Sequence, residues 1–166
     1  NDFVQLFSDT DVRNTFYHYY STNTAAWFAW VTSKFTFAFD SDMIMMRVAE
    51  MMLIEAEAKA RQGNDAAAAT LLFTLQSERD PSAVASGNTG ASLIEEVMIE
   101  RRKEMYCELG VEWFDAKRTR SGITRTGNHR VFLDLDPDDK RFILCIPQSE
   151  IDANEFIDDS INSDRL

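Results

Sequence analysis

The sequence predicts a mainly helical fold: a helical hairpin, a third long helix and a small β-hairpin component. Apolar residues recur at helical spacing through residues 43–80, on either side of a Gly-Asn-Asp break. They recur again through residues 92–119, whereas strand-like patterning is confined to short runs.

The hairpin is the element around which the remaining chain is arranged. Residues 43–54 are apolar nearly all round; beyond them the stripe narrows to Met52, Ala56 and Ala60, with Glu55, Glu57, Lys59 and Arg61 on the other face. This pattern predicts a helix buried at its start and surfacing towards its end. Glu55 with Lys59, and Glu57 with Arg61, are acid-before-base pairs that support a helix by roughly 0.2 to 0.5 kcal/mol each. Gly63 suits the left-handed conformation that closes a helix, and Asn64 and Asp65 suit the cap of the next, whose buried stripe is Ala68, Leu71, Leu72 and Leu75. Small residues at Ala56 and Ala68 permit close approach, and Pro81 sits where the second helix must end. The hairpin resembles one tetratricopeptide repeat, with Lys59 where an aromatic side chain would pack. One such repeat cannot bury both of its faces, so covering material is expected from elsewhere.

Before the hairpin, residues 1–40 are dense in aromatics and threonine. Phe35, Phe37 and Phe39 alternate with polar or small residues, as in a strand with one buried face. Two aromatic clusters, one of Tyr17, Tyr19 and Tyr20 with His18 and one of Trp27, Phe28 and Trp30, flank a polar turn; a hairpin and a decorated loop fit equally. After the hairpin, residues 81–91 read as a loop. Ser92 with Glu95 forms a capping box for the third helix, whose stripe runs Ile94, Val97, Met98, Arg101, Met105 and Leu109. Gly110 interrupts it, and residues 111–119 form a short helical turn that buries Trp113 and Phe114. Residues 119–129 are a polar loop. Residues 131–135 and 142–146, flanking Asp136-Pro137-Asp138-Asp139, read as a β-hairpin within 130–147. A short helix near residues 149–154 and an acidic tail complete 148–166. No domain boundary is visible, so residues 1–166 read as one unit.

The net charge of −11 argues against nucleic acid and anionic membrane surfaces as partners. Cys107 and Cys145 lack the spacing of a metal or redox pair and read as two isolated buried thiols. Asp134, Asp136 and Asp138 begin like a calcium loop, but Asp139 stands where that loop needs glycine and Cys145 where it needs glutamate. His18 and His129 have no ligand-spaced neighbour and read as surface residues. No metal or cofactor is expected.

Three separated blocks carry a more specific signal. They are MRVAEMMLIEAEAKARQGN, with Arg47, Ala49, Glu50, Leu53, Ala56, Glu57 and Ala58; ERRKEMYCELGVEWFDAKRT, with Glu100, Arg101, Glu104, Glu108, Gly110, Trp113, Phe114, Asp115 and Arg118; and IPQSEIDAN, with Ile146, Pro147, Glu150 and Asn154. In this order and at these distances they resemble the C-terminal portion of the SusD/RagB family; Asp11, Arg13, Lys34 and Phe35 match its upstream region. Glu155 replaces a usual proline, and the usual Gln-Asn-Pro ending is absent. The resemblance implies a surface lipoprotein of a Gram-negative outer membrane. Such a protein captures oligosaccharide, or in some members peptide, and passes it to a SusC-like TonB-dependent transporter without catalysis. The lipid anchor it implies would lie at a mature N-terminus that this sequence does not include.

Two candidate sites follow. Arg47 and Glu50, three apart inside an apolar helix, should meet each other or partners such as Asp115 and Arg118, and with Glu100 and Arg101 they form a structural ion-pair network, because breaking a buried pair costs ~3 to 5 kcal/mol. Paired carboxylates at Glu100 and Glu104 invite a glycosidase reading, but neighbouring arginines hold such acids ionised. Tyr17, Tyr19, Tyr20, Trp27 and Trp30 are candidates for a glycan platform, since sugar C–H faces lie against flat rings; the same rings would equally serve a core.

Overall fold

The computed structural model describes residues 3–20, 30–35, 38, 40–125 and 131–163. The chain forms two compact units, residues 1–112 and 113–166. Their division falls inside a helix rather than in a linker, which is why no shift in composition marks it.

The first unit holds a β-hairpin and three long helices. Strand β1 (Tyr17–Tyr19) pairs antiparallel with β2 (Trp30–Thr32), and its register sets Tyr17 opposite Thr32 and Tyr19 opposite Trp30. Helices α1 (Val48–Arg61) and α2 (Asp65–Arg79) fold back on each other, and α3 (Gly90–Glu104) packs against both. Gly63 makes the turn at φ 77°, a conformation that costs a side-chain-bearing residue far more. Ala56 and Ala68 are both fully buried, and with no side chain beyond Cβ they let the two backbones close on a core of Leu53, Leu72, Leu75, Leu93 and Val97. The Glu55–Lys59 and Glu57–Arg61 pairs form at 3.4 and 2.7 Å. The N-terminal segment is tied to the end of α2: Ser8 and Thr10 donate to the Asp80 carboxylate.

Two expectations for these helices are corrected. Residues 43–47 are not helical but lead into α1, and Met43, Met45, Met46, Val48, Met51 and Ile54 are exposed, so the apolar start of the hairpin is its uncovered face. Physically, α2 and α3 cover only the side of α1 that bears Ala49, Leu53, Ala56 and Ala60. Helix α3 begins at Gly90 with Thr89 as its cap, not at Ser92, and it ends at Glu104. Its buried stripe includes the charged Glu100, Arg101 and Glu104, while Leu109, beyond the helix at φ 41°, is exposed.

The second unit contains most of α4 (Val111–Thr119), the hairpin of β3 (Ile123–Arg125) with β4 (Leu133–Leu135), and α5 (Gln148–Ala153). A small core gathers Ala116, Leu135 and Phe142 with Trp113, Ile123 and Leu133. The partner of 131–135 is thus residues 123–125 rather than 142–146. Asp139 caps a single 3-10 turn over Lys140–Phe142 by accepting from the Arg141 amide, so the chain after the Asp-Pro-Asp-Asp turn does not run back as a strand. Phe114 is exposed, on the side of α4 opposite Asp115 and Ala116, contrary to the reading that buried it. Cys107 and Cys145 are free and exposed rather than buried; Cys107 sits in the irregular turn after α3 at φ 61°. The proposed alternation at Phe37 and Phe39, like His129, lies outside the described residues, and Phe35 is exposed in a bend. Asn162 closes the tail: its side chain accepts from the Ile146 amide and donates to the Ile146 carbonyl, both at 2.9 Å. No helix among the described residues is long and apolar enough to cross a membrane.

Candidate functional site

The first unit brings two groups of candidate residues into definite places. The β1–β2 hairpin sorts the aromatics. Tyr17 points into a cluster with Phe3, Phe7 and Tyr106, ring centroids 5.5, 5.1 and 5.7 Å away. Burial, reinforced by Tyr106, pushes the Tyr17 hydroxyl well above its ordinary pKa; burial likewise pushes Tyr106 up to about 12. Tyr17 therefore serves the packing of the unit. Two residues on, Tyr19 lies 5.2 Å from its register partner Trp30. Tyr19 is 59% exposed and Tyr20 52%, with Trp30 half-buried. The hairpin thus assembles Tyr19 and Trp30 into an accessible aromatic pair with Tyr20 beside it. Trp27 lies outside the described residues. His18, on the other face of β1, contacts the Ser33 hydroxyl at 2.9 Å.

The second group is a cluster of ion pairs at the end of α3. Glu104 receives Arg13 at 2.8 Å and Arg79 at 3.0 Å, together with Arg47. Arg47 also reaches Glu108 at 2.8 Å, and Lys34 bonds Glu108 and the carbonyls of Glu104 and Tyr106. Arg13 further pairs with Asp11 at 2.8 Å and Glu100 at 2.7 Å, and Lys103 with the same two acids at 3.2 and 3.3 Å. Three of these acids, Glu104, Asp11 and Glu108, are held ionised. Burial raises the Glu104 carboxyl, but hydrogen bonds and charge from Arg79 and Arg47 outweigh it and bring it down to about 2. Asp11 and Glu108 are likewise lowered, burial being overcome by Arg13 in the first and by Arg47 and Lys34 in the second.

Of the residues expected to form one network, the structure assigns Arg47 to Glu104 and Glu108, Glu50 to Arg101 at 3.3 Å, and Glu100 to Arg13 and Lys103. Arg47 and Glu50 turn to different partners because Arg47 stands before the first turn of α1, in extended backbone. Asp115 and Arg118 pair with each other at 2.7 Å within the second unit. Sequence reasoning overlooked Arg79 and Lys103 altogether. The available signal was the four-residue spacing of Glu100, Glu104 and Glu108, which repeats carboxylates along one side of a helix and demands cations from elsewhere.

Beside Glu104 the cluster opens into a cavity of about 360 Å³, walled by Arg13, Lys34, Arg47, Arg79, Lys103 and Glu108 with apolar Val12, Phe16 and Ile44. General acid catalysis at neutral pH needs a carboxyl of raised pKa; the shifts at Glu104, Glu108 and Asp11 run the other way. Among the described residues, no group of three or more His, Cys, Asp or Glu side chains is arranged to hold a metal.

A tetratricopeptide-like hairpin, a third helix fixed by buried ion pairs and small antiparallel hairpins define a helix-rich fold with a minor β component. The SusD family profile matches residues 5–159, and the chain belongs to that family. In structure it is similar to the SusD-like carbohydrate binding protein from Bacteroides vulgatus ATCC 8482, with 27% identity and a TM-score of 0.77. That similarity covers 92% of this chain and 39% of the other, so the chain spans about two fifths of that relative's length. A comparison with curated proteins gave no match.

Proposed function

We propose that the protein binds oligosaccharide at a cell surface as a non-catalytic member of an outer-membrane uptake system, passing ligand to a SusC-like TonB-dependent transporter. The observation that carries this reading is the accessible Tyr19–Trp30 pair, in a chain whose family includes a structure described as carbohydrate binding. Flat rings exposed on a short, register-fixed hairpin offer faces to sugar C–H groups. In this reading Tyr19, Tyr20 and Trp30, with Trp27, form the platform, and Tyr17 supports it from within. Attachment to the membrane would come from an N-terminal lipid, and no nucleic acid takes part.

The test is titration of a glycan panel, followed by Trp30→Ala and Trp27→Ala. A loss of about tenfold or more in affinity supports the platform; unchanged binding in both variants overturns it. The exposed apolar side of α1 at Val48, Met51 and Ile54 favours a second reading, a tetratricopeptide-type scaffold for protein partners or a peptide-binding member. Capture of a transporter without any glycan binding would select the scaffold, and binding of peptide alone would select the peptide-binding member.

A further inference from the structure

We propose that the cavity beside Glu104 is a subsite for a carboxylate, as carried by a uronic acid unit of a glycan; the proposal rests on the glycan-binding reading and narrows its ligand. The argument begins with charge. Five cations, Arg13, Lys34, Arg47, Arg79 and Lys103, are interlaced with four carboxylates, Asp11, Glu100, Glu104 and Glu108. In a chain of net charge −11, the cluster therefore holds one positive charge in excess. The excess is concentrated at Glu104, a single carboxylate that receives three guanidinium groups.

The acids and the cations are also layered. The side chains of Glu104 and Glu108 are each 3% exposed, whereas those of Lys34, Arg47 and Arg79 are 15%, 23% and 31% exposed. Glu104 and Glu108 line the cavity too, but its cations are the more exposed part of the wall. Arg79 bonds Glu104 through Nε and Nη2; its Nη1 makes no bond among the described residues and remains available to an acceptor. One added carboxylate brings the cluster to neutrality, with charge-assisted bonds of the kind that Arg forms in planar geometry.

Shape and position point to a sugar acid rather than a bare ion. The cavity's volume of about 360 Å³ lies in the range of small-molecule sites, and Val12, Phe16 and Ile44 give it an apolar side for ring C–H groups. Tyr17 also lines it, and β1 leads from Tyr17 to Tyr19. Those two residues are separated by roughly 7 Å of strand, a step that one extended glycan would take from the cavity to the aromatic pair.

The test uses the full chain with two pairs of probes: D-glucuronate against D-glucose, read by thermal shift, and a uronate-containing oligosaccharide against its neutral counterpart, read by calorimetry. Glucuronate should raise the melting temperature where glucose at the same concentration and ionic strength does not, and the acidic oligosaccharide should bind about tenfold more tightly than the neutral one. Both preferences should vanish in Arg79→Gln and weaken in Arg79→Lys, which keeps the charge but not the planar fork, with unchanged circular dichroism showing that both variants fold. Equal response to the acidic and neutral probes, or a preference that survives Arg79→Gln, overturns the subsite. Binding of neutral oligosaccharide without any acidic preference rejects the subsite and keeps the glycan reading. Stabilisation by glucuronate when no oligosaccharide binds keeps the subsite and rejects that reading.

Discussion

Arg47, at the entry to α1, holds Glu104, the last residue of α3, by both its carboxylate and its backbone carbonyl. One side chain thus satisfies a buried charge and an end-of-helix acceptor together, and Arg13 and Arg79 converge on the same carboxylate. Removing that charge leaves three guanidinium groups facing one another. Glu104→Gln is expected to lower stability by ~3 to 5 kcal/mol, the usual cost of breaking a buried pair, measured by urea denaturation.

The same carboxylate sets a pH dependence. Its pKa falls from 4.5 to about 2 on folding, so the folded state prefers the ionised form. The contribution is fully present above pH 4.5 and is lost as pH falls through 2; a shift of this size corresponds to about 3 kcal/mol. Melting temperature should decline through this acid window, and the decline should be shallower in Glu104→Gln.

Leu53 has no exposed surface and lies where α1 meets the core leucines of α2 and α3. Leu53→Ala should cost about 2 to 5 kcal/mol through lost burial and the cavity left behind. The exposed Met51→Ala, on the same helix, should change denaturant stability by less than about 0.5 kcal/mol.

In the second unit, Gly122 adopts φ 69°, and a Cβ there would strike the carbonyl oxygen of Leu135. Gly122→Ala therefore combines an unfavourable backbone with a clash against β4. It should lower stability by more than the roughly 1 kcal/mol that a Gly-to-Ala change alters through backbone freedom alone. Reduced hydrogen-exchange protection in β3 and β4 would register the damage directly.

Asn162 bonds both backbone groups of Ile146, as a paired strand would. Asn162→Ala should raise the exchange rate of the Ile146 amide by about tenfold, the equivalent of one net hydrogen bond of ~1 kcal/mol or slightly more. An unchanged rate would show that the tail is held by other contacts.

The helical hairpin was legible because its determinants are local: Gly63 at the turn, Ala56 and Ala68 at the closest approach, and leucines at helical spacing. The family was legible from blocks of residues in order. The uncovered face of α1 was not, since an apolar run around residues 43–54 reads as buried whether or not this chain supplies the cover. Nor was the pairing of β3 with β4. Three-residue strands carry almost no periodicity, and the acidic turn at 136–139 drew the second strand to the wrong side. At the candidate site, the Tyr19–Trp30 pair arises from register across a hairpin, and the partners of Glu104 come from residues 13, 47 and 79. Local patterning cannot connect positions so far apart.

That dispersal bears on the order in which the molecule assembles. Helices α1 and α2 can meet across a three-residue turn, whereas the Arg13–Glu104 contact closes a loop of 91 positions. Chain closure over such distances is slow relative to local helix pairing. The ion cluster is therefore expected to remain hydrated until the hairpin is in place and to act late, as a latch on the unfolding side of the barrier. Arg13→Gln should then speed unfolding with little change in the folding rate, while Leu72→Ala should slow folding. The opposite partition would make the charges part of the folding nucleus.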